Sequence, residues 1–370
     1  MKILAVNWRD IRHPETGGAE VHLHEILSHL VRWGHEATQL SSGWPGAAAE
    51  ETIDGVRILR GGRWYDANLS LPLLARRLLR REPFDVVIED INKLPFFMPL
   101  YTGVPVLPVI PHLFGTTVFR EANALIGSYV WLMEQFIPVV FRAQRFMVIS
   151  PSTRDDLARR GIGAGRIDVV LCGLDHRRYR DLGLPRFEQP TIVHLGRLRR
   201  YKSVEVAMRA MKTVRARVPG ARLLIVGDGP HRPALERYAS GLGMEGAIGF
   251  TGYLGGEELT ELLNRSHVLF NASPKEGWGL TVVEANACGV PVVASDRPGL
   301  RDSVVDGETG FLVPYGDAEA FGNRAADLLG GETLWRSMSA RAIERVSTLT
   351  WERCARETGA LLEAAAGGGR

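Results

Sequence analysis

Two glutamates and two cations carry the chemistry that this sequence offers. Glu276 and Glu284 flank the loop Gly277-Trp278-Gly279-Leu280-Thr281, which opens an apolar run to Ala287 and is followed by Gly289-Val290-Pro291-Val292-Val293-Ala294-Ser295. Glycines at 277 and 279 let the backbone adopt unusual dihedrals and approach a ligand closely. Residues 280–287 suit a buried helix, Gly289 sits where a helix-ending glycine belongs, and residues 292–294 suit an interior strand. A glycine loop feeding a helix start is an anion site, because free N–H groups and the helix dipole both favour negative charge there. A carboxylate next to a phosphate would repel it, so Glu276 and Glu284 make better sense accepting hydrogen bonds from neutral hydroxyls. The expected arrangement is phosphate on backbone amides and sugar hydroxyls on the flanking acids. Upstream, Gly196-Arg197-Leu198-Arg199-Arg200-Tyr201-Lys202 lies between a strand and a helix. The bidentate fork of Arg197 and the compact charge of Lys202 are suited to neutralising a diphosphate.

Groups so far apart in sequence need a scaffold that gathers loops, and the chain reads as one. Strand-like and helix-like segments alternate, the pattern of a parallel sheet covered on both faces. In the first half, strands are expected at residues 3–7, 38–41, 56–60, 86–89, 104–109, 146–150 and 169–171. A helix is expected from the turn at Gly17-Gly18 to about Trp33, and a long one over 122–142, interrupted at Pro138. Ser152 is the expected N-cap of a helix after the strand ending at Ser150. Residues 180–190 mix charge, Gly183, Pro185 and Pro190 without periodicity and read as a linker. In the second half, strands at 191–195, 222–226 and 268–273 alternate with helices such as 204–218. The expected fold is α/β, with domains at 1–179 and 191–350, and residues 364–370 expected to fray.

With the loop and the Gly-Val-Pro-Val-Val-Ala-Ser tail, the Glu276-x7-Glu284 pair resembles the signature of family 4 retaining glycosyltransferases of GT-B fold. Gly196-Arg197-x4-Lys202 resembles that family's diphosphate-holding element, residues 222–229 its Val-Gly-x-Gly segment, and 170–179 the close of its first domain, with Cys172 where Asn is usual. The resemblance covers essentially the whole chain. It implies two Rossmann-like doubly wound parallel-sheet domains facing across a cleft, with a C-terminal helix, about 351–366, packing back on the first. It implies a retaining, metal-independent transfer of a sugar from a nucleotide-diphosphate donor, UDP- or GDP-linked, to a hydroxyl of a lipid, glycan or small-molecule acceptor. Catalytic roles fall on His112, Glu276, Arg197 and Lys202, with His112 orienting a sugar hydroxyl. Donor contacts are expected at Gly17, Gly18, Gly196, Gly227, Tyr253, Gly277, Trp278, Gly279, Leu280, Thr281 and Glu284. Trp8, Arg9, Asp10 and Arg12, beside the glycine pair, are expected to face the acceptor. No cofactor and no metal are expected.

Composition bounds the alternatives. A chain of 370 residues with net charge +3 is long enough for two domains and too weakly basic for nucleic acid as the main partner. Three scattered cysteines fit neither a disulfide framework nor a metal site, and suit a reducing cytoplasm. Residues 1–7 read as a strand, not a signal peptide, and no stretch has the ~18 uninterrupted apolar residues of a spanning helix. Arg76, Arg77, Arg80 and Arg81 interleave with leucines, and the 122–142 segment is apolar over a wide face. Together they suggest loose docking on an anionic membrane. A dinucleotide dehydrogenase is disfavoured because no G-x-G-x-x-G follows the first strand. A nucleotide-sugar epimerase, a phosphorylase or a catalytically inactive binding subunit would share the architecture.

Overall fold

The computed structural model describes residues 1–120, 122–244 and 246–367. The chain divides into two units, one of Met1–Gly173 with the segment from Leu349 onward, the other of Leu174–Thr348.

The first unit is built on an eight-stranded sheet of β1 (Lys2–Val6), β2 (Glu36–Gly43), β3 (Glu50–Ile53), β4 (Val56–Arg63), β5 (Val86–Asp90), β6 (Val106–Ile110), β7 (Phe146–Val148) and β8 (Ile167–Val169), in the order β3-β4-β2-β1-β5-β6-β7-β8. Ile3, Leu4, Ala5 and Val6 are fully buried, as are Val86, Val87 and Ile88. Strands covered on both faces must be apolar throughout, and that is why they read as continuous hydrophobic runs. Leu4 and Val6 face one core cluster together with Leu71, Ala75, Ile110, Ile137 and Phe141. The helix Trp351–Gly367 packs on Gly18–Arg32, so the end of the chain returns to the first unit.

Four local expectations are corrected. The sheet gains β3, which pairs antiparallel with β4 through a turn at Asp54-Gly55, both at positive φ (48° and 81°). An Asp-Gly pair between such runs is a hairpin signal. The expected helix over 122–142 is a helix at Ala124–Gln135 and a short turn at Ile137–Val140, because Asn123 caps the first, its Oδ1 accepting from Ile126 N at 3.0 Å. Ser150, not Ser152, caps the helix Pro151–Arg159; Pro151 takes the first helical position, where its missing N–H costs nothing. The final helix continues to Gly367 through alanines expected to fray, and residues 368–370 lie outside the described ones.

The second unit carries a six-stranded, all-parallel sheet of β9 (Thr191–Leu195), β10 (Arg222–Val226), β11 (Ile248–Gly252), β12 (Val268–Asn271), β13 (Val292–Ser295) and β14 (Gly310–Val313), in the order β11-β10-β9-β12-β13-β14. Residues of the expected linker are bonded to this unit, Leu182 N to Asn264 Oδ1 at 2.7 Å and Phe187 N to Arg265 O at 2.8 Å.

One buried acid matters to the first unit. Glu89, fully buried at the end of β5, accepts from the amides of Phe96, Phe97 and Met98 at 2.6, 2.9 and 2.8 Å. Burial raises its pKa to about 7 against the pull of those three amides. Each buried donor left bare costs about 1–3 kcal/mol. Glu89→Ala should therefore destabilise the first unit by at least about 3 kcal/mol, read as a lowered melting temperature by circular dichroism.

Candidate functional site

In a parallel sheet, ligands collect where neighbouring strands send their following segments to opposite sides. In the second unit that place is the carboxyl end of β9 and β12, since β10 and β11 lie on one side and β13 and β14 on the other. The segment after β9 is Gly196–Lys202 and the segment after β12 leads to Glu276, so the topology alone brings the two motifs together.

The loop after β9 is held backbone to backbone. Leu198 N donates to Asp228 O at 2.8 Å, and a Cβ on Gly227, at φ 126°, would stand 2.0 Å from Gly196 O. The amides of Gly196 and Gly227 donate to Val226 O and Gly252 O at 3.0 and 2.8 Å. These two glycines therefore permit close packing, and their N–H groups are engaged within the fold instead of being open to a phosphate. Arg197 is exposed. Lys202 ends a short 3-10 turn, Arg200–Lys202, and the next residue, Ser203, is held left-handed at φ 53° with its hydroxyl 3.0 Å from the Tyr315 hydroxyl.

Glu276 is fixed as firmly. Its N–H donates to Pro298 O at 3.1 Å, and its carbonyl lies against Gly299, where a Cβ would come within 2.2 Å. Lys202 Nζ then meets Glu276 Oε1 at 2.5 Å, with the two side chains 16% and 14% exposed. Burial works against the ammonium, but Glu276 beside it more than offsets that, so the Lys202 pKa stands above the ordinary lysine value. Beneath the pair, His194 of β9 is buried. Burial first and the Lys202 charge second hold its pKa at about 4, so it is neutral.

Gly279, at φ 87°, starts the helix Leu280–Ala287, and Gly289, at φ 73°, follows its end. Leu280 and Thr281 occupy the first turn, where N–H groups have no partner inside the helix. Thr281 Oγ1 accepts from Asn271 Nδ2 at 3.4 Å. Trp278 is buried. Glu284 lies one turn on, partly exposed, beside the Tyr179 hydroxyl and the Arg178 charge. Burial raises its pKa to about 7, with Arg178 and then Tyr179 pulling the other way. Tyr179 thus belongs with the second unit, a partner that the glutamate spacing did not reveal. Tyr253 stands apart, 78% exposed after the edge strand β11.

The remaining expected residues belong to the first unit. His112 follows β6, its ring edge-on to Phe114 with centroids 5.0 Å apart. The loop is pinned by Glu134, a fully buried acid that accepts from Phe114 N and Gly115 N at 2.6 and 2.9 Å and pairs with Arg160 at 3.3 Å. Gly17 and Gly18 open the helix Gly18–Arg32, and the Gly17 N–H is taken by Glu20 Oε2 at 2.8 Å. Of the residues expected to face the acceptor, Asp10 and Trp8 lie inward. Asp10 is fully buried: Arg60 donates to it at 2.7 and 2.8 Å, Ser41 Oγ at 2.9 Å and Arg12 N at 2.9 Å. Burial opposes its charge, yet the Arg60 fork and the other donors hold its pKa below the usual carboxylate value. Trp8 is 8% exposed, its indole N–H on Leu94 O at 3.2 Å. Both side chains have hydrogen-bond partners within the first unit. Arg9 pairs with Glu15, and Arg12 is exposed. Sequence reasoning missed a buried chain at the β1–β5 switch point: Asn92 Nδ2 to Asn7 Oδ1 at 3.0 Å, and Asn7 Nδ2 to Asp90 Oδ2 at 2.9 Å. Among the described residues, no three His, Cys, Asp or Glu side chains converge so as to hold a metal ion.

Comparison with known proteins finds two family matches. Residues 16–178 match glycosyltransferase family 4, and residues 178–345 match glycosyl transferases group 1. The chain is 26% identical over 332 residues to the lipopolysaccharide core biosynthesis glycosyltransferase LpsE of Rhizobium meliloti (strain 1021), covering 89% of this chain and 90% of that one. It is 29% identical over 343 residues to the GDP-mannose-dependent alpha-(1-6)-phosphatidylinositol monomannoside mannosyltransferase of Mycolicibacterium smegmatis, covering 85% and 86%. Sucrose-phosphate synthase from Thermosynechococcus elongatus superposes with a TM-score of 0.84 over 99% of both chains at 21% identity, a likeness of fold in two parallel-sheet α/β units of GT-B type.

A carboxylate with pKa about 7 is a stronger acceptor of hydroxyl donors when ionised, above that pH, than when protonated below it. Nucleotide binding that uses Glu284 should therefore weaken as pH falls through 7 and strengthen as it rises. Calorimetric titration of UDP-glucose or GDP-mannose from about pH 8 to about pH 6 should show that loss in the native protein and a flatter profile in Glu284→Gln.

Proposed function

The chain belongs to glycosyltransferase family 4, its second half to the glycosyl transferases of group 1, and on that premise we propose that it moves a sugar from a UDP- or GDP-linked donor to a hydroxyl of a lipid-linked, glycan or small-molecule acceptor, with retention of configuration and without a metal. The observation that carries this reading is the meeting of Lys202 and Glu276, 2.5 Å apart, where β9 and β12 part. Arg197 and Lys202 take the donor diphosphate, joined by the first-turn amides of Leu280 and Thr281. Glu276 accepts from sugar hydroxyls and Glu284 from ribose hydroxyls. The bond from the anomeric carbon to the diphosphate oxygen breaks and its electron pair leaves with the phosphate. The acceptor oxygen bonds on the same face, and its proton passes to the departing phosphate oxygen. Cations fixed where that negative charge grows lower the barrier electrostatically. The names of the two relatives, a lipopolysaccharide core enzyme and a phosphatidylinositol mannoside enzyme, support a place in cell-envelope glycan or glycolipid synthesis.

Losing one charge-stabilising contact of this kind costs about 100-fold or more in rate. Lys202→Ala and Glu284→Ala should each lose at least ~100-fold in sugar transfer, measured by nucleoside diphosphate release in the presence of acceptor; near-native turnover in both would contradict the assignment.

We also propose peripheral docking on the inner face of an anionic membrane. No helix of the described residues is long and apolar enough to cross a bilayer. The helix Ala124–Gln135 leaves Leu125 82%, Ile126 52%, Tyr129 48% and Leu132 46% exposed, a contiguous apolar surface of the sort that marks an interaction site. It leans on the same core cluster as Leu71 and Ala75 of the helix Ala67–Arg81, which turns Arg76, Arg77, Arg80 and Arg81 outward. The protein should sediment with vesicles containing phosphatidylglycerol and remain in the supernatant with purely zwitterionic ones. Leu125→Ser with Ile126→Ser should reduce the pelleted fraction several-fold.

A further inference from the structure

A carboxylate fixed against the phosphate-binding lysine has a consequence for what the site prefers to hold. Lys202 Nζ and Glu276 Oε1 are 2.5 Å apart and largely buried. The backbone that carries each end is fixed. Glu276 is held through its own N–H on Pro298 O and by the close approach of Gly299 to its carbonyl, and Lys202 is followed by left-handed Ser203, tied to Tyr315. A diphosphate that reaches Lys202 therefore comes within a few ångströms of a carboxylate.

Two ligands meet that carboxylate differently. In a nucleotide sugar the outer phosphate is esterified, carries one charge, and presents sugar hydroxyls that donate to Glu276. In the spent nucleoside diphosphate the outer phosphate is bare, holds additional negative charge at neutral pH, and offers only acceptors. Charges at such distances in a partly buried site interact by amounts worth tenfold or more in binding. The bare phosphate must also compete with Glu276 for Lys202, and it returns no hydrogen bond to the carboxylate.

We propose that Glu276 is the residue by which this site discriminates the sugar-capped diphosphate from the bare one, weakening retention of the spent nucleotide so that it leaves. The proposal rests on the donor site described under the proposed function. It makes Glu276 a specificity-determining group as well as a sugar contact. A residue that only bound sugar would leave nucleoside diphosphate affinity untouched.

The test measures binding of UDP, GDP, UMP and GMP by titration calorimetry to the native full chain, Glu276→Gln and Lys202→Ala, following whichever base the native protein binds. Glu276→Gln keeps the shape and removes the charge. It should bind the diphosphate about tenfold more tightly and the monophosphate as the native protein does, since the monophosphate lacks the outer phosphate that faces residue 276. Unchanged monophosphate affinity also shows that the variant is folded. The same variant should bind UDP-glucose or GDP-mannose no more tightly than native. Lys202→Ala should weaken the diphosphate. If Glu276→Gln leaves diphosphate affinity unchanged or weaker while Lys202→Ala weakens it, the discrimination is overturned and the donor site stands. If neither variant alters diphosphate binding, the donor site itself is misplaced.

Discussion

Parallel strands cannot be joined without crossing a face of the sheet, and where two neighbours cross to opposite faces their carboxyl ends are left open. That constraint organises the second unit. β9 and β12 lie side by side in the sheet although many residues separate them, and each releases a short segment into the same opening. One brings Lys202, the other Glu276. Neither motif has a use alone: a lysine before a helix is a solvated cation, and a glutamate in a glycine loop is a solvated anion. Set 2.5 Å apart, they become one site that presents a cation and an anion side by side.

Much of this was legible in the sequence because the informative residues are those with the narrowest conformational options. Gly279 and Gly289 bracket the helix Leu280–Ala287 as the spacing predicts, and both are left-handed. Val- and Ile-rich runs mark the buried strands because nothing else tolerates burial on both faces. Ambiguity concentrated where periodicity is weak. The half-polar run Glu50-Glu51-Thr52-Ile53 forms β3, and only the Asp54-Gly55 turn carried a local signal for it.

Side-chain partners were less legible, because a carboxylate looks the same in sequence whether it waits for a ligand or holds the fold. Asp10 is among the residues expected to face an acceptor, and Arg60, fifty positions on, pairs with it. Glu89 and Glu134 drew no notice, and each ties two or three backbone amides of a loop. Gly227 carries the pattern of a phosphate loop, but its amide is spent on Gly252. In each case the deciding atom lies on a segment distant in sequence, and no local window contains it.

Glu134 has a mechanical side. It is the buried acid of an otherwise outward-looking apolar helix, and both of its oxygens grip the stretch of chain immediately after His112. Pulling helix and loop apart would strand an anion in a dry interior, so the two travel as one rigid piece. Whatever the helix rests its outer face upon thereby gains leverage over the loop that carries His112.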